Sequence, residues 1–199
     1  MSALAERLRE AFAAPSEPPL YHDVGPELMG TTEFVPAAVL VGVIDAPAPR
    51  LLLTVRHAGL RKHAGQVAFP GGRVDPEDAG PVAAALREAW EEVTLPTAVA
   101  QIVGTAEPYR TGTGYSITPV IAVLPDTLNL VPHEAEVSAI FEPPLAHMLD
   151  ATNQDRKTLT VQGRERAFYE ILWNEFRTWG VTAGLIVNLG NRLRAGLSA

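Results

Sequence analysis

Three carboxylates recur within Arg87-Glu88-Ala89-Trp90-Glu91-Glu92. In a helix, at about 100° per residue, Glu88, Glu91 and Glu92 share one face. Like charges at these spacings cost a few tenths of a kcal/mol per pair, and crowded carboxylates raise one another's pKa values. A divalent cation removes both penalties, and hard oxygen donors suit Mg²⁺ or Mn²⁺. The chemistry implied is metal-assisted attack of water on a phosphoryl group. A solvated acidic face is the plain alternative, and spacing alone does not decide between them. The preceding Gly71-Gly72 and an arginine directly before the first acid favour a site.

The charge balance narrows the partner. Among 199 residues, 16 Lys+Arg stand against 23 Asp+Glu, a formal net charge of −7. That speaks against a nucleic-acid backbone binder, but not against one small anion. Against this acidic background, Arg56, Arg61, Lys62 and His63 form the densest basic cluster, suited to phosphate oxygens. With no cysteine, disulfides, thiolate nucleophiles and Cys-ligated zinc are excluded. His22, His133 and His147 are isolated and read as surface or capping residues. Gly112-Thr113-Gly114 lacks the further glycine or lysine of a phosphate loop and reads as a turn. No Gly-x-Ser-x-Gly elbow or His-Glu-x-x-His helix occurs.

The elements that must position these residues follow from hydrophobic periodicity. Leu4, Leu8 and Phe12 predict an amphipathic helix over 2–13, ended by the prolines within 14–19. Ala37 to Ile44 reads as a buried strand, joined across a Pro-rich turn to a second strand over Leu51 to Arg56 as a hairpin. Residues 57–80 read as loop, and 81–93 as the acidic helix. Strands are expected over 102–105, 116–124 and 137–141, with a short helix from Leu145. Thr158 to Val161 should pair with Arg166 to Ile171 across Gln162-Gly163. Leu185, Leu189 and Leu193 mark a closing helix entered through Trp179-Gly180. On the acidic helix, Val82, Leu86, Ala89 and Val93 are expected to face the core, with Ala84 and Ala85 beside the acids leaving space above them. Trp90 is expected to pack. One mixed α/β domain over 1–199 accounts for the chain, residues 1–34 being a helix and lead-in to a core over 35–199. No apolar run approaches the roughly 18 residues that span a bilayer, and Glu6, Arg7, Arg9 and Glu10 interrupt any signal-like start. A cytoplasmic protein without membrane attachment is expected.

The segment resembles the box of the Nudix hydrolase family through Gly72, Arg87-Glu88, Glu91-Glu92 and Leu95. It departs in two places. Asp78 holds the first acid position with eight residues before Arg87 rather than seven, and Thr94 replaces the closing glycine. Gly80-Pro81 can absorb the extra residue. Thr is poor at positive φ, so the helix is expected to end differently, stopped by Pro96. Upstream, Leu52 to Arg56, Arg61, Gly65 and Phe69-Pro70-Gly71-Gly72 are similar to the coenzyme A pyrophosphatase branch. Downstream segments as far as Trp179-Gly180 and Thr182-Ala183 are similar to it too.

The resemblance implies an α/β/α sandwich around a mixed sheet. It also implies hydrolysis of coenzyme A or its thioesters with Mg²⁺ or Mn²⁺ held by Glu88, Glu91, Glu92 and the Gly71 carbonyl. Arg87 would orient an acid, and Glu91 or Glu136 would handle the attacking water, with Glu134 a weaker candidate. Arg56, Arg61, Lys62 and His63 would meet substrate phosphates. Other nucleoside diphosphate derivatives (ADP-ribose, a dinucleotide, a nucleoside triphosphate) and a non-catalytic nucleotide-binding module are the alternatives. The fold analogy admits a homodimer.

Overall fold

The computed structural model describes residues 2–13, 33–161 and 164–197. His22, the prolines of 14–19 and the Gln162-Gly163 turn lie outside them. Strand β1 (Val35–Asp45) is the axis of the fold. It runs parallel to β8 (Tyr115–Pro125) along its whole length, from Val35↔Tyr115 to Asp45↔Pro125. Antiparallel β2 (Arg50–Leu51) and β5 (Gly71–Arg73) flank β1. β6 (Gln101–Thr105) and β7 (Tyr109–Arg110) flank β8. The result is a mixed six-stranded sheet.

Successive strand side chains point to opposite faces, and the core divides accordingly. Ala38, Leu40, Val120, Ala122 and Leu124 pack with Ala84, Ala85, Ala89 and Val93 of α2 (Pro81–Val93). Val41, Val43, Ile121 and Val123 pack with Ala5 and Leu8 of α1 (Ala3–Ala13), and with Ile186 and Leu189 of the closing helix. The sheet is thus sandwiched between helices. Among the described residues, no helix is long and apolar enough to cross a membrane.

The expected hairpin is short. Leu51 pairs with Val43 on β1, but from Leu53 the chain leaves for a second sheet, where β3 (Leu53–Arg56) lies between β4 (Val67–Ala68) and β9 (Val137–Phe141). Segment 57–80 is therefore not all loop, since it contributes β4 and β5. Beyond α3 (Leu145–Leu149), β10 (Asp155–Val161) pairs with β11 (Arg164–Trp173) as expected, with Thr158 opposite Ala167. The short β12 (Phe176–Trp179), not foreseen, joins β11 and leads into α4 (Gly180–Leu197).

Helix α2 departs from the expected wheel. Ala84 and Ala85 are fully buried against the sheet rather than leaving space above the acids, and Glu92 is only 3% exposed. Trp90 does not pack in the core; it is 53% exposed. The start matches expectation, with Pro81 in the first turn behind Gly80 at φ 114°. The end does not. Thr94 itself takes the left-handed conformation (φ 54°, ψ 32°), and the helix closes through Thr94 N–H to the Trp90 carbonyl and Leu95 N–H to the Ala89 carbonyl. The strain of a β-branched residue there is offset by Thr94 Oγ1, which accepts from Val131 N–H at 3.0 Å.

On the three-stranded sheet β10–β12, buried Glu170 forms ion pairs with Lys157 and Arg177. The Lys157 hydrogen bond, then that of Arg177, holds its carboxyl below the ordinary 4.5 against the effect of burial. A folded pKa below the unfolded one stabilises the protein above about pH 4.5, an effect lost as pH falls through the folded value. Thermal denaturation should therefore find Glu170→Gln less stable than the parent at pH 7. The gap should close in acid.

Candidate active site

Arg87 organises the approach to the acidic helix. Its Nε and Nη2 donate to the two oxygens of Asp78 at 3.1 and 3.0 Å. Nη1 donates to Glu88 at 3.0 Å and to Glu91 at 3.1 Å. Nη2 also reaches the Arg73 carbonyl at 3.1 Å. Asp78 in turn accepts from Asp75 N–H at 2.9 Å, closing the lengthened loop. The Arg87 hydrogen bonds hold the Asp78 carboxyl below its ordinary value, and Asp78 is the first cause raising the Arg87 pKa. Asp78 thus takes the arginine-pairing role despite its shifted spacing.

Glu92 and Glu88 are set against strand β5. Gly71 N–H donates to Glu92 Oε2 at 3.3 Å. A β-carbon on Gly72 would lie 2.2 Å from Glu88 Oε1, and one on Gly71 would lie 2.4 Å from the Ala38 carbonyl oxygen. The two glycines therefore do separate jobs. Gly71 lets β5 close on β1, and Gly72 leaves the space that the Glu88 carboxylate fills. Burial pushes the Glu92 carboxyl up to about 7, opposed by Arg56 and the Gly71 N–H, with Glu88 and Glu136 adding to the rise. Burial also raises Glu88, opposed by Arg87, with Glu91 and Glu136 pushing the same way.

Glu136 is thus within electrostatic reach of both box acids, and the loop explains its place. His133 N–H donates to the Glu92 carbonyl at 2.9 Å, and Val131 N–H to that of Val93 at 3.1 Å, docking the loop on the end of α2. The Glu136 carbonyl accepts from His57 N–H at 2.7 Å, joining it to the end of β3. Glu134 is exposed on the same loop. Arg56, the last residue of β3, stands 3.6 Å from Glu92, and its buried Nε has no hydrogen-bond partner among the described residues.

The fold therefore brings Gly71, Glu88, Glu92, Arg56 and Glu136 together, with Arg87 and Glu91 on the rim. Arg61, Lys62 and His63 stand exposed on the loop after β3. His63, at φ 57°, bonds Gln66 through Nδ1 at 2.9 Å. As they stand, and among the described residues, no three His, Asp or Glu side chains are gathered tightly enough to hold a metal ion. Arg87 and Arg56 occupy the acids instead. The donor set nonetheless suits a hard divalent cation: the oxygens of Glu88, Glu91 and Glu92, one of them on a carboxyl whose burial raises the cost of its own negative charge. Nothing in the sequence marks Arg73 and Tyr115 as partners. Their spacing carries no signal, because different strands bring them together.

The NUDIX domain family model matches residues 34–167. Over 153 residues the chain is 44% identical to a protein of Escherichia coli K12 named Uncharacterized Nudix hydrolase NudL, spanning 77% of this chain and 80% of that protein. The protein of the same name in Shigella boydii serotype 4 is 45% identical over the same length. The crystal structure of a Nudix hydrolase from M. smegmatis, RenU, aligns with a TM-score of 0.49 at 27% identity, covering 57% of this chain and 72% of that one.

The two glycines should separate in stability measurements. Gly71→Ala meets backbone at 2.4 Å and should cost about 2–3 kcal/mol, lowering the melting temperature by roughly 5–10 °C. Gly72→Ala meets only the movable end of Glu88 and should melt within a few degrees of the parent.

Proposed function

The chain belongs to the Nudix family, and from that premise we propose that it hydrolyses the diphosphate linkage of coenzyme A or its thioesters. The products are 4′-phosphopantetheine, or its acyl form, and adenosine 3′,5′-bisphosphate. Membership makes the protein a pyrophosphohydrolase. The choice of substrate rests on the segment from Leu52 to Gly72, which resembles the coenzyme A branch and supplies both Arg56 and the β5 glycines.

Glu88, Glu91, Glu92 and the Gly71 carbonyl would hold the divalent cation. When bound, Mg²⁺ or Mn²⁺ supplies polarisation of a phosphoryl oxygen and an activated water. The chain's own residues do the rest. Arg87 fixes Glu88 and Glu91 from one side, and Asp78 fixes Arg87. Arg56 balances Glu92 and keeps its buried Nε for a substrate oxygen, a charge-assisted hydrogen bond. Arg61, Lys62 and His63 present positive charge and donors to the phosphates from the loop after β3. Glu136, held within reach of Glu88 and Glu92 by its backbone, takes the proton from the attacking water. The observation that carries the reading is the buried Glu92, raised to about 7 and set between the Gly71 N–H and Arg56. Such a carboxylate is poorly served by solvent and well served by a cation.

Reaction in ¹⁸O-water, followed by mass spectrometry, tests both the substrate and the attacked phosphorus. Coenzyme A should yield the two products above, one of them carrying a single ¹⁸O. Intact coenzyme A alongside cleaved ADP-ribose, dinucleotide or nucleoside triphosphate would move the substrate elsewhere in the family. Glu92→Gln should melt no lower than the parent, since a neutral amide is cheaper to bury than a carboxylate. Its turnover should fall at least ~10²-fold. Glu136→Gln should lower kcat by roughly 10²–10⁴-fold, the usual worth of general-base assistance.

A further inference from the structure

We propose that Arg73 and Tyr115 form a second anion site, apart from the box carboxylates, that takes a phosphomonoester carried elsewhere on the substrate. The proposal deepens the coenzyme A reading and rests on it for the identity of that group, the 3′-phosphate of the adenosine.

The cations near the box fall into two sets. Arg56 and Arg87 already face carboxylates. Arg73, Arg61 and Lys62 do not: among the described residues none of them forms an ion pair, although Asp75 acts weakly on Arg73. In a chain of net charge −7, an arginine next to Gly72 with no ion-pair partner among the described residues needs a reason.

Arg73 follows Gly72 on β5, so its side chain leaves the strand on the face opposite the Glu88 contact. There Nη2 donates to the Tyr115 hydroxyl at 3.0 Å, and the guanidinium lies 5.6 Å from the ring centroid. Both partners are anchored by main chain. Arg73 pairs with Ala37 in the sheet, and its carbonyl accepts from Arg87. Tyr115 N–H donates to Thr111 Oγ1 at 3.0 Å, and its carbonyl accepts from Thr111 N–H at 2.9 Å. The Arg73 hydrogen bond holds the phenol below its ordinary pKa, and Lys62 lowers it further from the loop after β3. Because the phenol oxygen accepts from Arg73, its own proton is left to donate. A guanidinium and a phenol together offer two kinds of donor, which a phosphomonoester dianion with its three acceptor oxygens can use at once. The Arg87 contact with the Arg73 carbonyl ties this site to the one where the diphosphate is cut.

Calorimetric titration with adenosine 3′,5′-bisphosphate and with AMP tests the site without turnover. The full-length protein should bind the bisphosphate roughly 10- to 100-fold more tightly, the worth of one or two charge-assisted hydrogen bonds. Arg73→Gln should reduce that gap to near unity, and Tyr115→Phe, which removes the hydroxyl, should narrow it. In kinetics, the preference for coenzyme A over its 3′-dephospho form should shrink through KM rather than kcat. No gap in the parent, or a gap unchanged in both variants, overturns the site. A gap that depends on Arg73 in a protein that leaves coenzyme A uncut keeps the site and removes the substrate reading. Hydrolysis of coenzyme A without any gap does the reverse.

Discussion

Burying the Glu92 carboxylate is the constraint on which the arrangement depends. A carboxylate that is only 3% exposed needs nearby donors and positive charge, and each neighbour answers part of that need. The Gly71 N–H reaches it from β5, and Arg56 from β3. Both strands must therefore meet the same turn of α2. Glycine at 71 lets β5 lie close to β1, and small alanines on α2 let the helix lie close to the sheet. The buried carboxylate thus lies where β3, β5 and α2 converge.

Arg87 extends the same logic outward. One guanidinium meets Asp78, Glu88, Glu91 and the Arg73 carbonyl. It therefore holds the loop before the helix, two acids on it and the strand beneath it. This explains how the lengthened box is tolerated. The extra residue is taken up in the turn between Asp75 and Pro81, while the planar fork of the arginine still finds a carboxylate at Asp78.

Much of this was legible in the residues. The limits of the acidic helix, the long strands and the paired β10 and β11 follow from periodicity and from Gly80-Pro81. The wheel failed at Ala84, Ala85 and Trp90 because it assumes one buried side. Here the sheet covers α2 broadly, including the line of the acids, and leaves the tryptophan outside. Thr94 was misjudged because its local strain is real but is met by Val131, 37 residues away in sequence. The two-residue strands β2, β4 and β7 are too short to show alternation. Of the candidate site, the box acids are marked by their spacing taken together with Gly71-Gly72 and Arg87, and Glu136 through family likeness. The Arg73–Tyr115 pair is visible only once β5 and β8 are laid beside β1.

The short bond from His57 N–H to the Glu136 carbonyl, at 2.7 Å, has a mechanical meaning. It fastens the cationic loop to the acidic one at the mouth of the cleft. The Glu136 main chain is therefore held beside the end of β3, from which the Arg61–His63 loop departs. On the proposed reading, the segment that meets the phosphates and the one that carries the water-handling acid share a single anchor.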